Sequence, residues 1–117
     1  MKNILITGGF GILGASLSNI LSAKRYKIFI LDRSKKRRKI LSNHFSTKIK
    51  KVNGDFKNLK QLINIIKKYK IDSIIHLGAI TQVIDAYKSP YDTYQTNIIG
   101  TVNILEAVRI VNKNINV

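Results

Sequence analysis

A cluster of glycines directly after a short apolar run, near the start of the chain, constrains the fold most. Residues 3–6 read Asn-Ile-Leu-Ile, a β-branched run typical of a buried strand. Residues 7–14 follow as Thr-Gly-Gly-Phe-Gly-Ile-Leu-Gly, and helical spacing begins at Ile12. Glycines let the backbone approach a pyrophosphate, and the N–H groups of the helix end face its charge. Strand, glycine turn and helix in this order are therefore the pattern of a dinucleotide-binding turn.

The rest of the chain alternates apolar runs with segments of helical periodicity. Ser89 and Pro90 begin the last helix as N-cap and first helical residue, and Asp92 completes an approximate capping box. Its inner face is predicted from the spacing of Tyr94, Ile98, Thr101, Leu105 and Val108. The predicted elements are strands 3–6, 26–31, 49–52 and 71–77, helices 12–23, 59–69 and 89–112, a basic helical segment 34–43, and the opening of a fifth strand at 115–117.

This alternation predicts an α/β fold of the Rossmann type, a doubly wound parallel sheet. Right-handed crossovers give the strand order 3-2-1-4 for the strands present. We expect a single dinucleotide-binding domain over residues 1–117. Because the last residues read as the start of a strand, we also expect a truncated piece that lacks the catalytic and substrate-binding portion.

Composition excludes several kinds of site. The 117 residues contain no cysteine, so disulfides and thiolate sites are excluded. His44 and His76 have no partners at ligand spacing, so we predict no metal site. The apolar run near the start is too short for a signal peptide, and no run approaches the roughly 20 residues that span a bilayer. We therefore expect a cytoplasmic protein with no membrane partner.

The net charge of +15 comes mainly from a basic block at residues 24–51, which holds twelve Lys or Arg and one acid, Asp32. Such a block is able to attract nucleic acid. It has no interleaved stacking aromatics and no DNA-binding motif, and Lys, Ile and Asn are abundant throughout the chain. The sequence therefore favours a solvated surface over nucleic-acid binding.

Three polar residues are candidates for a cofactor site. Asp32 ends the second strand eighteen residues after Gly14, close to the spacing of an acid that hydrogen-bonds the adenosine ribose, and this favours NAD. The neighbouring Arg33 keeps NADP open, because it is able to neutralise a 2′-phosphate. Asp55 is an adenine contact or a turn residue, and Asn97 either ties strand ends together or touches the cofactor. We assign no chemistry to His76, which reads as a packed core residue.

Five motifs follow one another along the chain. They are the glycine turn, Asp32, Gly54-Asp55, the run His76-Leu77-Gly78-Ala79, and the helix segment 97–107, Asn-Ile-Ile-Gly-Thr-Val-Asn-Ile-Leu-Glu-Ala. Together they resemble the extended short-chain dehydrogenases/reductases, the NAD-dependent epimerase/dehydratase group that acts on nucleotide sugars. Residues 76–109 look most like the nucleotide-sugar 4,6-dehydratases, in particular the CDP-glucose type.

The resemblance implies a role for each matching residue. It places a pyrophosphate at the glycine turn, the adenosine ribose at the end of the second strand, adenine after the third strand, and the nicotinamide ribose after the fourth, with an asparagine of the last helix beside the site. The implied residues are Gly8, Gly11, Ile12, Leu13 and Gly14, then Asp32 and Arg33, then Asp55 and Phe56, then Leu77, Gly78, Ala79 and Thr81, and finally Asn97. It also implies a nucleotide-diphosphate sugar as substrate and a homodimer for the full-length protein.

The family's catalytic residues have no match here. They are a Ser or Thr after the fifth strand and a Tyr-x-x-x-Lys on the following helix, and none of the five tyrosines has a lysine four residues later. We therefore expect no catalytic residue and no activity in this chain alone, although the family is enzymatic. Two alternatives stay open: a stand-alone dinucleotide-binding module, and a basic protein associated with nucleic acid.

Overall fold

The computed structural model describes residues 2–34 and 49–117. Strand and helix alternate along these residues as the sequence predicts, except between β2 and β3, whose connection lies outside the described residues. The helix predicted at 34–43 and His44 lie outside the described residues, apart from Ser34. The elements are β1 (Asn3–Thr7), α1 (Ile12–Ala23), β2 (Lys27–Asp32), β3 (Ile49–Asn53), α2 (Leu59–Lys68), β4 (Ser73–His76), α3 (Val83–Lys88), α4 (Pro90–Tyr94), a π-helical turn (Gln95–Ile99) and α5 (Gly100–Val111).

The four strands form one parallel sheet in the order β3-β2-β1-β4, which confirms the predicted order and fold class. Ile4 pairs with Ile28 of β2 and with Ser73 of β4, so β1 is an interior strand of the sheet, as is β2. Asn116 makes a single parallel bridge to Ser73. The last residues thus lie beside β4, where the sequence predicts the opening of a fifth strand.

The core lies on both faces of the sheet because successive strand side chains point to opposite sides. Ile4 and Ile6 pack with Ile28, Ile30 and the partly buried Leu21 of α1 on one face. Leu5 packs on the other face, beneath α2 and α5. The buried residues of that second cluster include Phe29, Leu31, Val52, Leu62, Ile65, Ile66, Ile74, Ile104, Ala107 and Val108. Helices on both faces leave the carboxyl edge of the sheet open for a ligand.

The predicted inner face of the last helix is wrong at three of its five positions. Tyr94, Ile98 and Leu105 are 63%, 50% and 53% exposed, whereas Ile104 is fully buried. The π-helical turn Gln95–Ile99 adds a residue to the turn and so rotates the faces on its two sides relative to each other. A single helical period over residues 94–108 cannot anticipate that rotation.

The segment between β4 and the last helix also differs from the prediction. It contains a short helix, α3, that the sequence analysis did not identify. Pro90 does begin α4, but the Ser89 side chain does not cap the backbone and instead donates to Asp92 Oδ2 at 2.8 Å. This segment lies above the carboxyl edge of β4 and forms one wall of the candidate site.

Candidate functional site

The glycine turn places the end of β1 against two other elements. Gly8 has a φ of +67°, and a Cβ there would lie 2.7 Å from the Leu77 carbonyl carbon. A Cβ on Gly14 would overlap the Gly8 carbonyl oxygen, so the start of α1 lies directly against the turn. The Gly11 N–H donates to the Gly8 carbonyl at 3.0 Å and closes the turn. Gly8 and Gly14 are therefore glycines because neither position has room for a side chain.

Gly11 differs, because its backbone does not require glycine. It is the N-cap of α1, with an ordinary extended conformation of φ −73° and ψ 172°. The first turn of α1 contains no acidic side chain, and Ile12 is 94% exposed. The unpaired N–H groups of a helix start and its positive dipole end favour an anion. The turn thus offers an accessible backbone surface that suits a phosphate group.

A cleft of about 730 Å³ opens at the carboxyl edge of the sheet, in front of the glycine turn. Every residue implied by the resemblance lines it except Asn97. The fold thus brings together residues as far apart in the sequence as Gly8 and Thr96. The lining residues are Gly8, Gly11, Ile12, Leu13, Gly14, Leu31, Asp32, Arg33, Gly54, Asp55, Phe56, Lys57, Leu77, Gly78, Ala79, Ile80, Thr81, Gln82, Asp85 and Thr96.

Asp32 lines this cleft at the end of β2. Its Oδ1 accepts the Ser34 N–H at 3.3 Å, whereas its buried Oδ2 has no hydrogen-bond partner among residues 2–34 and 49–117. Its backbone carbonyl accepts the Gly54 N–H at 3.1 Å, which fixes the end of β2 against the end of β3. A buried carboxylate oxygen needs a donor, and a ribose hydroxyl supplies one.

Asp55 and Phe56 follow β3 and form the wall beside Asp32. Asp55 Oδ1 accepts the Lys57 N–H at 2.9 Å, so this carboxylate stabilises its own turn while it lines the cleft. The Phe56 ring lies edge-on to His76, with centroids 4.9 Å apart, and fills the space beside Gly78 and Gly100. Phe56 thus also packs β3 against the end of β4 and the last helix.

Asn97 does not line the cleft, because its side chain is engaged elsewhere. Its Oδ1 accepts the Ile80 N–H at 2.8 Å, and its Nδ2 donates to the Ile80 carbonyl at 2.8 Å. The structure shows this side chain tied to the segment that follows β4, rather than joining two strand ends as one of its two predicted roles has it. Contact with the cofactor remains a prediction.

The preceding residue, Thr96, is a site residue that the sequence analysis missed. It is 7% exposed and lines the cleft, and its buried Oγ1 has no hydrogen-bond partner among the residues that the structure describes. The π-helical turn directs Asn97 toward Ile80 and leaves Thr96 facing the cleft. The periodicity of the sequence does not indicate that Thr96 lies at the cleft. Its polar side chain next to Asn97 is nevertheless a reason to consider both residues as candidates.

His76 was predicted as a packed core residue without chemistry, and it is only half-buried. Its Nδ1 lies 2.6 Å from Thr7 Oγ1, and its Nε2 lies 3.1 Å from Thr101 Oγ1. Burial lowers the pKa of the imidazole below its ordinary value. The ring thus connects β1, β4 and α5 just beneath the cleft.

A second cavity of about 490 Å³ adjoins the cleft and shares Ile80, Thr81 and Gln82 with it. Its other walls come from α3 and the start of α4, including Tyr87 and Pro90. Among residues 2–34 and 49–117, no group of three or more His, Asp or Glu is placed to hold a metal ion. In the same part of the chain, no helix has the length and hydropathy needed to cross a membrane.

A parallel sheet of order 3-2-1-4, a glycine turn at the start of α1 and an acid at the end of β2 define a Rossmann-type fold of the short-chain dehydrogenase/reductase class. The family described as GDP-mannose 4,6 dehydratase matches residues 5–117. The chain belongs to this family of nucleotide-sugar epimerases and dehydratases.

Individual relatives agree with this assignment. The chain is 30% identical over 117 residues to a CDP-paratose 2-epimerase of Salmonella typhi, covering 97% of this chain and 35% of that protein. It is 34% identical over 116 residues to a dTDP-D-glucose 4,6-dehydratase of Dictyostelium discoideum, a match that covers 93% of this chain and 26% of that protein. Similar proteins thus differ in both sugar nucleotide and reaction, and the CDP-glucose type stays a prediction.

A solved structure shows the same fold. The UDP-glucose-4-epimerase of Stenotrophomonas maltophila, with bound NAD and formylated UDP-arabinopyranose, superposes with a TM-score of 0.81 at 22% identity. The match covers 93% of this chain and 34% of that one. The chain spans about a third of the length of the relatives it matches.

Proposed function

We propose that this chain is the NAD-binding part of a nucleotide-sugar 4,6-dehydratase or epimerase, with residues 1–117 forming the N-terminal portion of its Rossmann domain. The observation that carries the proposal is that one cleft is lined both by the accessible turn at the start of α1 and by Asp32, whose buried Oδ2 has no hydrogen-bond partner in the described part of the chain. The turn suits a pyrophosphate and Asp32 suits a ribose, and both groups belong to one dinucleotide.

The residues of the cleft suit such a cofactor along its whole length. Gly8, Gly11, Ile12, Leu13 and Gly14 would hold the pyrophosphate, Asp32 and Arg33 the adenosine ribose, Asp55 and Phe56 the adenine, and Leu77, Gly78, Ala79 and Thr81 the nicotinamide side. Thr96 also lines the cleft and is a further candidate, since its buried hydroxyl has no hydrogen-bond partner among the described residues. NAD is preferred to NADP because the Asp32 carboxylate repels a 2′-phosphate.

The substrate in this proposal is a nucleotide-diphosphate sugar. Bound NAD would supply a transient hydride acceptor for C4 of the sugar. The cavity at α3 adjoins the nicotinamide side of the cleft and offers space for a second ligand there. Since no tyrosine of this chain has a lysine four residues later, we place the base elsewhere in the protein. The relatives are about three times as long as this chain, which supports that placement.

We also propose a homodimer for the full-length protein. Exposed apolar side chains of the π-helical turn and α5 support it, with Ile98, Ile99, Val102 and Leu105 each between 41% and 53% exposed. Sedimentation of the complete protein tests this proposal. A dimer that Val102→Glu dissociates supports it, and a wild-type monomer contradicts it.

The experiment that tests the function uses the protein expressed from its complete reading frame. It is incubated with NAD and with CDP-glucose, dTDP-glucose, UDP-glucose and GDP-mannose in turn, and the products are identified by NMR. We expect one of these sugars to be converted to its 4-keto-6-deoxy product or its epimer without net reduction of NAD. NAD binding without conversion of any sugar favours the stand-alone module, and absence of NAD binding contradicts the proposal.

A further inference from the structure

The hydrogen bonds around His76 determine which of its ring nitrogens carries the proton. Thr7 Oγ1 accepts the N–H groups of Leu77 and Gly78 at 3.1 and 3.0 Å. Both lone pairs of this hydroxyl are therefore occupied, so its own proton is donated to His76 Nδ1, 2.6 Å away. This direction requires an unprotonated Nδ1.

The other side of the ring leads to the same tautomer. The Thr101 hydroxyl donates to the Asn97 carbonyl at 2.8 Å, so its oxygen is free to accept. His76 Nε2 lies 3.1 Å from that oxygen and is therefore the N–H donor. Thr7 thus donates to the ring at Nδ1, and the ring donates to Thr101 from Nε2. These hydrogen bonds stabilise a neutral imidazole protonated at Nε2.

This chain of bonds fixes the peptide that lies against the glycine turn. The Thr7 hydroxyl binds the N–H groups on both sides of Leu77, and a Cβ on Gly8 would lie 2.7–2.8 Å from three atoms of the Leu77–Gly78 peptide group. Gly8 and Leu77 also line the cleft. The Leu77 N–H is shared with the Thr7 carbonyl at 3.2 Å, so the Thr7 hydroxyl acts together with this backbone bond to hold the end of β4 against the turn.

We propose that neutral His76 is a positioning residue of the dinucleotide cleft, and that its protonation weakens dinucleotide binding by depriving the Thr7 hydroxyl of its acceptor. The proposal rests on the proposed function, since it concerns the same cleft. His76 itself does not line the cleft among the described residues. It acts on the ligand through Thr7, Leu77 and Gly78.

The surroundings of the ring favour the neutral form. The groups that face it are Thr7 from β1, Thr101 from α5 and the edge of Phe56 after β3. Within the described residues no carboxylate or cation makes a hydrogen bond or ion pair with the imidazole, and burial alone lowers its pKa. No carboxylate of the described residues is thus bonded to the ring to compensate a positive charge on it.

The tautomer is tested without any ligand. In the complete protein, the imidazole nitrogens of His76 are followed by ¹⁵N NMR from pH 8 to pH 5. We expect an unprotonated Nδ1 and a protonated Nε2 at pH 7. A proton on Nδ1 at pH 7, in either the neutral or the charged ring, overturns the proposal.

The effect on the cleft is tested by NAD affinity, measured by calorimetry at pH 7.5 and pH 5.5. We expect wild-type affinity to fall as the pH drops below about 6.5, toward the lower pKa that burial gives His76, so a third measurement at pH 5.0 extends the series while it stays above the ordinary values of the carboxylates. His76→Phe removes the acceptor and weakens binding roughly tenfold at pH 7.5, a factor that corresponds to about 1.4 kcal/mol. His76→Asn offers an amide oxygen to Thr7, so it retains more affinity than His76→Phe and loses the dependence on pH. His44→Asn is the matched control and keeps the wild-type dependence.

The outcomes separate the two proposals. If the wild type binds NAD and His76→Asn keeps the same dependence on pH, the role of His76 is overturned and the proposed function stands. The same holds if His76→Phe and wild type bind NAD equally. If the wild type does not bind NAD at any of these pH values, the proposed function fails, and the role of His76 in it fails too.

Discussion

Asn97 and Ile80 exchange two hydrogen bonds, each 2.8 Å long, in which the asparagine side chain bonds both backbone groups of a residue seventeen positions earlier. The carboxamide acts as a strand neighbour would, where the chain has just left β4. It fixes the segment after β4 to the π-helical turn, so one wall of the cleft depends on it.

Asn97→Ala should destabilise the protein by about 1–2 kcal/mol, because the half-buried amide and carbonyl of Ile80 lose their partners. The free energy of unfolding, measured by urea denaturation, checks this. Asn64→Ala, at an exposed position of α2, is the control and should change it by less than about 0.5 kcal/mol. Equal stability of the two variants would show that the Ile80 contact contributes little.

Thr96→Val should leave the stability of the ligand-free protein unchanged or raise the melting temperature by roughly 2–4 °C, because it removes a buried hydroxyl that has no partner. It should also reduce the increase in melting temperature that NAD produces, since Thr96 lines the cleft. Thermal scans with and without NAD measure both effects.

The control for Thr96 is Thr93→Val, which removes a hydroxyl that donates to the Ser89 carbonyl at 3.0 Å. It should lower the melting temperature of the ligand-free protein and leave the increase caused by NAD intact. If Thr96→Val behaves in the same way as this control, the Thr96 hydroxyl has a structural role only.

Asp32→Asn should weaken NAD binding by about tenfold, because a charged acceptor for a ribose hydroxyl becomes neutral. It should weaken NADP binding less, since the repulsion of a 2′-phosphate disappears as well. The ratio of the two dissociation constants is the measurement. Asp72→Asn makes the same charge change beside the start of β1, at the opposite edge of the sheet, and should leave the ratio unchanged. An unaltered ratio in Asp32→Asn contradicts the ribose assignment.

The free energy of unfolding should decrease as the pH falls through and below about 6.5. Burial lowers the pKa of His76 in the folded protein, so in this range the unfolded chain binds a proton that the folded chain does not. The contribution of His76 to stability is complete above its pKa in the unfolded chain. It is lost progressively as the pH falls toward its lower pKa in the folded protein. Urea denaturation at several pH values should show this decrease in the wild type and a smaller one in His76→Asn. An equal decrease in both would assign it to other groups.

The sequence predicts the sheet and most of the cleft because both depend on local chemistry. Apolar β-branched runs, the glycines of the turn and the acid after β2 occupy positions where only a few residue types fit. Strand order then follows from the handedness of the crossovers. These rules place Asp32, Asp55 and Gly78 at one edge without any knowledge of side-chain contacts.

The same rules do not predict which side chains of the last helix are buried and which line the cleft. Leu105 and Ile104 are equally apolar, and only the packing of α5 on the sheet decides that Ile104 is the buried one. The π-helical turn shifts the register in a way that hydropathy does not record. The roles of Thr96 and His76 depend on which partners the fold brings near them, and those partners are distant in sequence.

NAD affinity in Gly11→Ala, compared with the wild type in the complete protein, tests most directly whether this cleft binds NAD. The backbone of Gly11 suits alanine, and its surface faces the cleft, so the added methyl group should leave the melting temperature nearly unchanged. Calorimetry should show one NAD per wild-type chain and a loss of at least tenfold in affinity in the variant. A wild-type protein that does not bind NAD, or a folded Gly11→Ala that binds it as tightly, would contradict the assignment of this cleft.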